Sequence, residues 1–323
     1  MHARHRQASR AAVRRGLGRV LTFAGCVALI GAACTKEFTP RSVLADLRVL
    51  SIQGARLEAG PGETVTLAPV RLPPRGASLT SERWTFCPFS IGARAGFACA
   101  VPACEVPLAP DGSASADQVV GVSPAAVGVS VTADPGALAQ QCLAQLAAQG
   151  ALPPNVPSEL PQKVNTIFRY SAAASDGSTR EAVQLVPFYP GGAPQERNRA
   201  PAIQEVRIGD VVVQPDGTGP ELGPGAELEV RVQLEPGAAQ HYVDDTGATL
   251  QETLVVSFFT TAGRFDFDRS NVDLAAANGP EARVKLKHEQ LGTSDTQAEV
   301  WVVATDLRGG ETAEGPFKVP ILP

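Results

Sequence analysis

The octapeptide GPGETVTL at residues 60–67 returns as GPGAELEV at residues 223–230, and this recurrence limits the fold more than any other feature. In each copy a Gly-Pro-Gly turn leads into apolar residues at every second position, the period of a strand that buries one face. A strand-like run precedes each copy, ADLRVLSI from Ala45 and AIQEVRI from Ala202. An aromatic-bearing run follows, RWTFC from Arg83 and VVSFF from Val255. Each half then closes on a run, an Asp-containing turn and a last run: FRYSAAASDGSTREAVQLVPF and VWVVATDLRGGETAEGPFKVPIL. Short alternating runs between Gly/Pro turns, spaced about 8–12 residues apart, read as antiparallel sandwiches and not as βαβ units. The expected fold is all-β, with tandem β-sandwich domains over residues 42–190 and 201–323. A Pro-, Gly- and charge-rich linker at 191–200, with some hinge freedom, joins them.

The first half is the longer. Phe86 and Asp176 stand 90 residues apart where Phe258 and Asp306 stand 48 apart, and the surplus is an insertion over about residues 88–160. Its segment DPGALAQQCLAQLAAQG predicts one short helix: Asp134 can cap it, Pro135 suits the first turn and Gly150 can end it. Leu138, Cys142 and Leu146 recur at i, i+4 and i+8 and share a face. Four cysteines, Cys87, Cys99, Cys104 and Cys142, read as two disulfides if the chain is exported. Three connectivities are possible. The preferred one joins Cys87 to Cys99 and Cys104 to Cys142, which would pin the helix to the strand region. Zinc is disfavoured, because Cys-x4-Cys with no nearby histidine lacks ligand spacing.

Residues 1–19 carry six arginines and no acid, and Val20–Ala33 is an uncharged, mostly apolar run. Fourteen residues fall short of the roughly 20 a bilayer-spanning helix needs, and fit a signal-peptide core. Gly31, Ala32 and Ala33 precede Cys34, after which the chain turns polar with Thr35, Lys36 and Glu37. The stretch resembles the lipobox of bacterial lipoprotein precursors, in which small residues precede a cysteine that is diacylated and becomes the mature N-terminus. The resemblance covers residues 1–36 and implies a signal peptide at 1–33, lipidation of Cys34 and a tether at 34–41. Cys26 is the rival, but its apolar run reaches back only to Arg19, short of the roughly 7–15 residues expected.

Removing residues 1–33 takes six arginines and no acid from 28 basic and 33 acidic residues, leaving a formal charge of −11 in place of −5. An acidic body does not neutralise phosphate, so no nucleic-acid partner is expected. Two histidines remain, His241 and His288, both in polar settings. The chain has no Gly-x-Ser-x-Gly elbow, no His-Glu-x-x-His and no phosphate-cradling glycine loop. A non-catalytic protein without cofactor is expected, and a hydrolase with an unmarked site is the remote alternative. No metal is expected outright, but RFDFDRSNVD supplies a candidate calcium set, Asp266, Asp268 and Asp273, which Asp244, Asp245 and Asp306 could join. The simpler reading of that run is a strand with Phe265 and Phe267 in the core and the aspartates in water.

The turn PGETVTL and its counterpart resemble the A′–B corner of bacterial Ig-like, cadherin-like and fibronectin-type modules. The A-x-D-x-x-G-G pattern at Ala304–Gly310 resembles their F–G hairpin. The antibody signature is missing, since Trp84 and Cys87 share one strand and no cysteine matches on the other sheet. As a whole the chain resembles bacterial surface lipoproteins with Ig-like repeats, abundant in myxobacteria and their relatives. That resemblance implies a lipid-anchored cell-envelope protein acting as an interaction or scaffold module. Its partners would be the membrane, through the lipid, and another envelope protein. By resemblance to the usual sorting pattern, Thr35 after the cysteine implies the outer membrane. An adhesive or carbohydrate-binding module is the alternative. Sugar sites use exposed aromatics, and two Trp and three Tyr, with Trp84 and Trp301 inside strands, favour a protein partner.

Overall fold

Alternation of apolar and polar residues makes each run a one-faced strand, and two such sheets can bury their faces only on each other. The computed structural model describes residues 41–109, 130–150, 162–244, 246–288 and 295–323. The signal peptide, Cys34 and all but the last residue of the tether lie outside the described residues. In the first half, strands β1 (Arg48–Gly54), β2 (Val65–Leu72) and β5 (Val131–Ala133) form one sheet. The facing sheet has the order β4-β3-β6-β7, from β3 (Leu79–Cys87), β4 (Val106–Leu108), β6 (Val164–Ala174) and β7 (Thr179–Phe188).

The second half repeats this connectivity strand for strand. Its first sheet contains β8 (Ile203–Ile208), β10 (Glu227–Leu234) and β16 (Glu281–Lys287), extended at its edges by β9 (Val211–Val213) and β14 (Arg264–Phe265). Its second sheet has the order β15-β13-β17-β18, from β13 (Val255–Thr260), β15 (Arg269–Asn271), β17 (Gln297–Thr305) and β18 (Glu311–Pro320). A separate hairpin, β11 (His241–Val243) with β12 (Thr249–Gln251), projects from the β10–β13 connection. Both halves are Ig-like, and the aromatic positions correspond: Phe86 on β3 and Phe258 on β13 are fully buried. Trp84 faces Tyr170 and Phe86 faces Phe168 across the β3–β6 pair, each with ring centroids 5.1 Å apart.

The insertion carries α1 (Pro135–Ala148), capped by Asp134, whose carboxylate accepts the Ala137 N–H at 3.0 Å. Leu138, Cys142 and Leu146 are its buried stripe. The disulfides are Cys87–Cys99 and Cys104–Cys142, the preferred pairing. The first packs with Ile167, Val183 and Leu185 on β6 and β7, and the second ties the helix to the segment ahead of β4. One expectation fails: β14 stops at Phe265, so Phe265 is in the core while Phe267, past the strand end, is 67% exposed.

Two strands are buried on both faces. On β2, Arg71 points into the sandwich while Val70 points out, and on β17 Trp301 points out opposite Val300 and Val302. Their outer faces cover each other: Leu44, Val70 and Trp301 form one buried cluster, with Leu50, Leu72, Phe259 and Ala313 around it. Gly315 lets Trp301 lie there, since a Cβ would sit 2.9 Å from the indole. The sandwiches therefore lie side by side. At one end Leu44 N–H donates to Thr260 O and Thr260 N–H to Ser42 O, both at 2.8 Å. At the other, Gln184 Nε2 donates to Gly309 O at 2.8 Å.

Inside the first core, Arg71 forks onto Glu82 with two 2.9 Å bonds, and Tyr170 donates its hydroxyl to the same carboxylate. Burial, reinforced by Glu82, pushes the Tyr170 phenol far up, so it remains the donor. A buried pair of this kind costs most when halved. Glu82→Ala should lower urea-measured stability by about 3–5 kcal/mol. The triple change Arg71→Met, Glu82→Leu, Tyr170→Phe should stay within about 2 kcal/mol of the native protein or exceed it. Equal losses in both would mean that the charges themselves carry the core.

Candidate functional site

Where the two sandwiches meet beside the linker they enclose a cleft of about 1080 Å³. The first domain contributes Glu58 from the β1–β2 turn, Lys163 ahead of β6, and Tyr189 after β7. Glu196, Arg197 and Asn198 come from the linker, and Gln240, His241, Tyr242 and Asp244 from the β11–β12 hairpin region. Arg308 enters from the loop between β17 and β18.

That last loop is built by one carboxylate. Asp306 is buried, and its Oδ1 accepts the N–H groups of Arg308 at 2.7 Å and Gly310 at 2.8 Å. The turn forces Leu307 to φ 62° and leaves its side chain 62% exposed. Left-handed backbone at a non-glycine residue is strained and persists where neighbours over-determine it. Gly310 is required, because a Cβ there would crowd Asp306 and sit 2.9 Å from Ala200 Cα.

The turn delivers Arg308 to the cleft. Its guanidinium lies 4.2 Å over the Tyr242 ring, and Nη1 donates to Glu252 at 2.6 Å and to Asn198 Oδ1 at 3.3 Å. Glu252 is buried and also accepts Gln240 N–H at 2.9 Å. Burial raises its carboxyl above the ordinary range, against the pull of those donors. Asn198 N–H donates to Glu58 at 3.2 Å, and Tyr189 donates its hydroxyl to the other Glu58 oxygen at 3.2 Å. Gln240 accepts Arg199 N–H at 2.8 Å. Arg197 bonds Glu63 at 2.7 Å and, with the Gly60 N–H, holds that carboxyl down at about 2. The floor is thus one hydrogen-bonded chain through both domains and the linker, which leaves the linker little slack. Asn198 is 6% exposed, and its Nδ2 has no protein partner.

The residues singled out from sequence scatter differently. His241 and Asp244 line the cleft, whereas His288 stands 3.3 Å from Leu322 O elsewhere. Among the described residues no three metal-ligating side chains converge, and Asp266, Asp268 and Asp273 are not brought together. Asp266 Oδ1 instead accepts the Phe267 and Lys285 N–H groups, and Asp273 Oδ1 that of Ala275. Asp306 caps its own loop, and Asp245 lies outside the described residues. Trp84 fills the first core and Trp301 the interdomain seam. Glu58, Tyr189, Asn198, Glu252 and Arg308 were not anticipated. The available signal was the long connection before Val255, whose length exceeds what a turn between paired strands needs.

The fold defines a tandem Ig-like β-sandwich protein. No protein-family model matches the chain, and no curated protein does. Among solved structures, the D00–D0 domain of intimin is 12% identical over 86% of this chain and 96% of its own, with a TM-score of 0.19. The fibronectin(III)-like modules of Clostridium thermocellum CbhA are 11% identical over 85% and 93%, with a TM-score of 0.22. Rst D1–D2 is 10% identical over 85% and 98%, with a TM-score of 0.23. Likenesses this distant transfer no function.

Beside the cleft, Glu311 at the start of β18 crosses the seam to accept the Ile52 N–H at 3.1 Å. Burial, reinforced by the charge of Asp306, raises its carboxyl to about 7. The folded state therefore holds a proton that the unfolded chain releases near 4.5. The stability this contributes is present below 4.5 and is lost as pH rises through 7. Glu311→Gln keeps an acceptor for Ile52 and removes the titration. Its stability relative to the native protein should rise between pH 5 and pH 8 by about 2–3 kcal/mol in parallel urea titrations. A difference that does not change with pH would place the carboxyl in water.

Proposed function

We propose that this is an exported bacterial cell-envelope protein, anchored by lipid on Cys34, whose paired sandwiches form a rigid non-catalytic binding module. The observation that carries the reading is the placement of the chain's entry relative to the cleft. Ser42 and Leu44 bond to Thr260, at the end of β13 opposite Val255. The cleft lies at the Val255 end, where Thr305 pairs with Val255 and Arg308 follows. Entry and cleft are a strand length apart, on the order of 20–30 Å at about 3.3 Å per residue. A lipid on Cys34 would attach the chain through the segment that enters at Ser42, at the other end of the strands from the cleft. No helix among the described residues is long and apolar enough to cross a membrane, so attachment through the cysteine needs no span. The described residues lining the cleft include one histidine and neither serine nor cysteine. An outer-membrane address and a protein partner complete the reading. Carbohydrate recognition is its rival, favoured by Tyr189 and Tyr242, which both line the cleft.

The test compares the natural protein with a Cys34→Ser variant by intact mass and detergent partitioning. The natural protein should enter the detergent phase with a diacylglyceryl adduct on Cys34, and the variant should stay in the aqueous phase. Equal partitioning without added mass would sink the anchored reading.

A further inference from the structure

We propose that the interdomain cleft is a binding site for a neutral oligosaccharide segment. The proposal rests on the non-catalytic binding reading and, for this cleft, takes its carbohydrate alternative over a protein partner.

Size comes first: about 1080 Å³ lies at the top of the roughly 300–1,000 Å³ range of small-ligand pockets. That room suits several linked rings better than one. Charge comes second. Lys163, Arg197 and Arg308 in the lining are matched by Glu58, Glu196 and Asp244, and both Arg197 and Arg308 are already bonded to carboxylates. With Glu63 and Glu252 already holding the two arginines, a polyanion would meet more repulsion than attraction. Apolar side chains are scarce, with Pro194 and Val243 in the wall, so neither an acyl chain nor an apolar peptide finds a pocket. What remains is a lining of amides, carboxylates and guanidinium groups around two phenol rings. Planar side chains with paired donors and acceptors match vicinal hydroxyls, and an aromatic face matches the C–H face of a sugar ring. Tyr189 and Tyr242 are two of the chain's three tyrosines; the third, Tyr170, is in the core.

Preorganisation is the third point. Asn198, Gln240 and Arg308 are held by the floor network before any ligand arrives, so few rotamers remain to be fixed on binding. Asn198 Nδ2 remains as a donor without a protein partner. Among the described residues the rival platform is Phe267, 67% exposed and away from the cleft.

Full-length protein purified in detergent would be titrated calorimetrically with defined neutral tetrasaccharides of gluco-, manno-, galacto- and N-acetylhexosamine type, with tetragalacturonate as the acidic comparison. At least one neutral probe should bind saturably. Tyr242→Ala from the second domain and Gln162→Ala, at a residue of the first that lines the cleft beside Lys163, should each weaken it, the former by about tenfold or more, with unchanged thermal midpoints. Phe267→Ala should leave binding intact. Silence across the neutral panel, binding of tetragalacturonate alone, or loss through Phe267→Ala with the cleft variants unaffected would each overturn the assignment. The probe is recovered and its mass measured. An intact probe is expected, and a hydrolysed one would uphold the cleft assignment while overturning the non-catalytic reading. Neither result depends on lipid at Cys34.

Discussion

The packing of one sandwich's outer face on the other's is the contact from which the rest of this molecule follows. An Ig-like sheet ordinarily turns its outer face to water, and tandem sandwiches joined by a short connection then behave as separate bodies. Here Val70 and Trp301 are buried where solvent would otherwise lie, with Leu44 from the entering chain closing the cluster. The apolar contact is small, and polar crossings supplement it: Ile52 to Glu311, Gln53 to Ala313 O and Gln184 to Gly309 O. Interdomain surfaces of that mixed character permit motion by default. What opposes it is their distribution along the full length of the strands, from Thr260 at one end to Gly309 at the other.

Side-by-side docking also determines what the loops can do. It brings the β17–β18 loop of the second domain against the β1–β2 turn and linker of the first, which no end-to-end arrangement of the same domains would require. Asp306 then has two tasks. It caps a strained turn, and by fixing that turn it sends the Arg308 side chain across to Asn198 and Glu252. A charge held by two buried partners, Glu252 and Asn198, and by the Tyr242 ring is positioned far better than one on a solvated arginine.

The repeat, the sandwich class, and the helix with its cap were legible because each depends on local spacing, whereas the cysteine pairing was a preference among three connectivities that spacing did not decide. Period-two alternation reports a strand with one buried face, and Asp134-Pro135 reports a helix start. Alternation misled at Phe267, where the apolar pattern runs on after the backbone has left the sheet. The seam was half legible. The run VWVVA at residues 300–304 is apolar without alternation, as a strand buried on both faces must be, yet nothing in it says what covers the second face. The cleft was barely legible: His241 and Asp244 stood out as residues, but nothing in the sequence placed them in a common site. Glu58 and Arg308 are polar, 250 residues apart in the chain, and belong to no period.

Acidity and polarity combine to set how such a cleft could select its ligand. The mature body would carry about eleven net negative charges, which repel acidic polymers at long range, although within a Debye length of roughly 8–10 Å local charges dominate. Inside the cleft the two arginines are already paired with Glu63 and Glu252, so little positive charge is left to draw an acidic ligand in, and recognition falls to hydrogen-bond geometry and ring contact. Affinity then depends on how precisely Asn198, Gln240 and Arg308 are held, and that precision is a property of the seam. Loosening the sandwiches would degrade the site without touching a residue that lines it, which makes the outer faces of β2 and β17 as much a part of the binding site as its tyrosines.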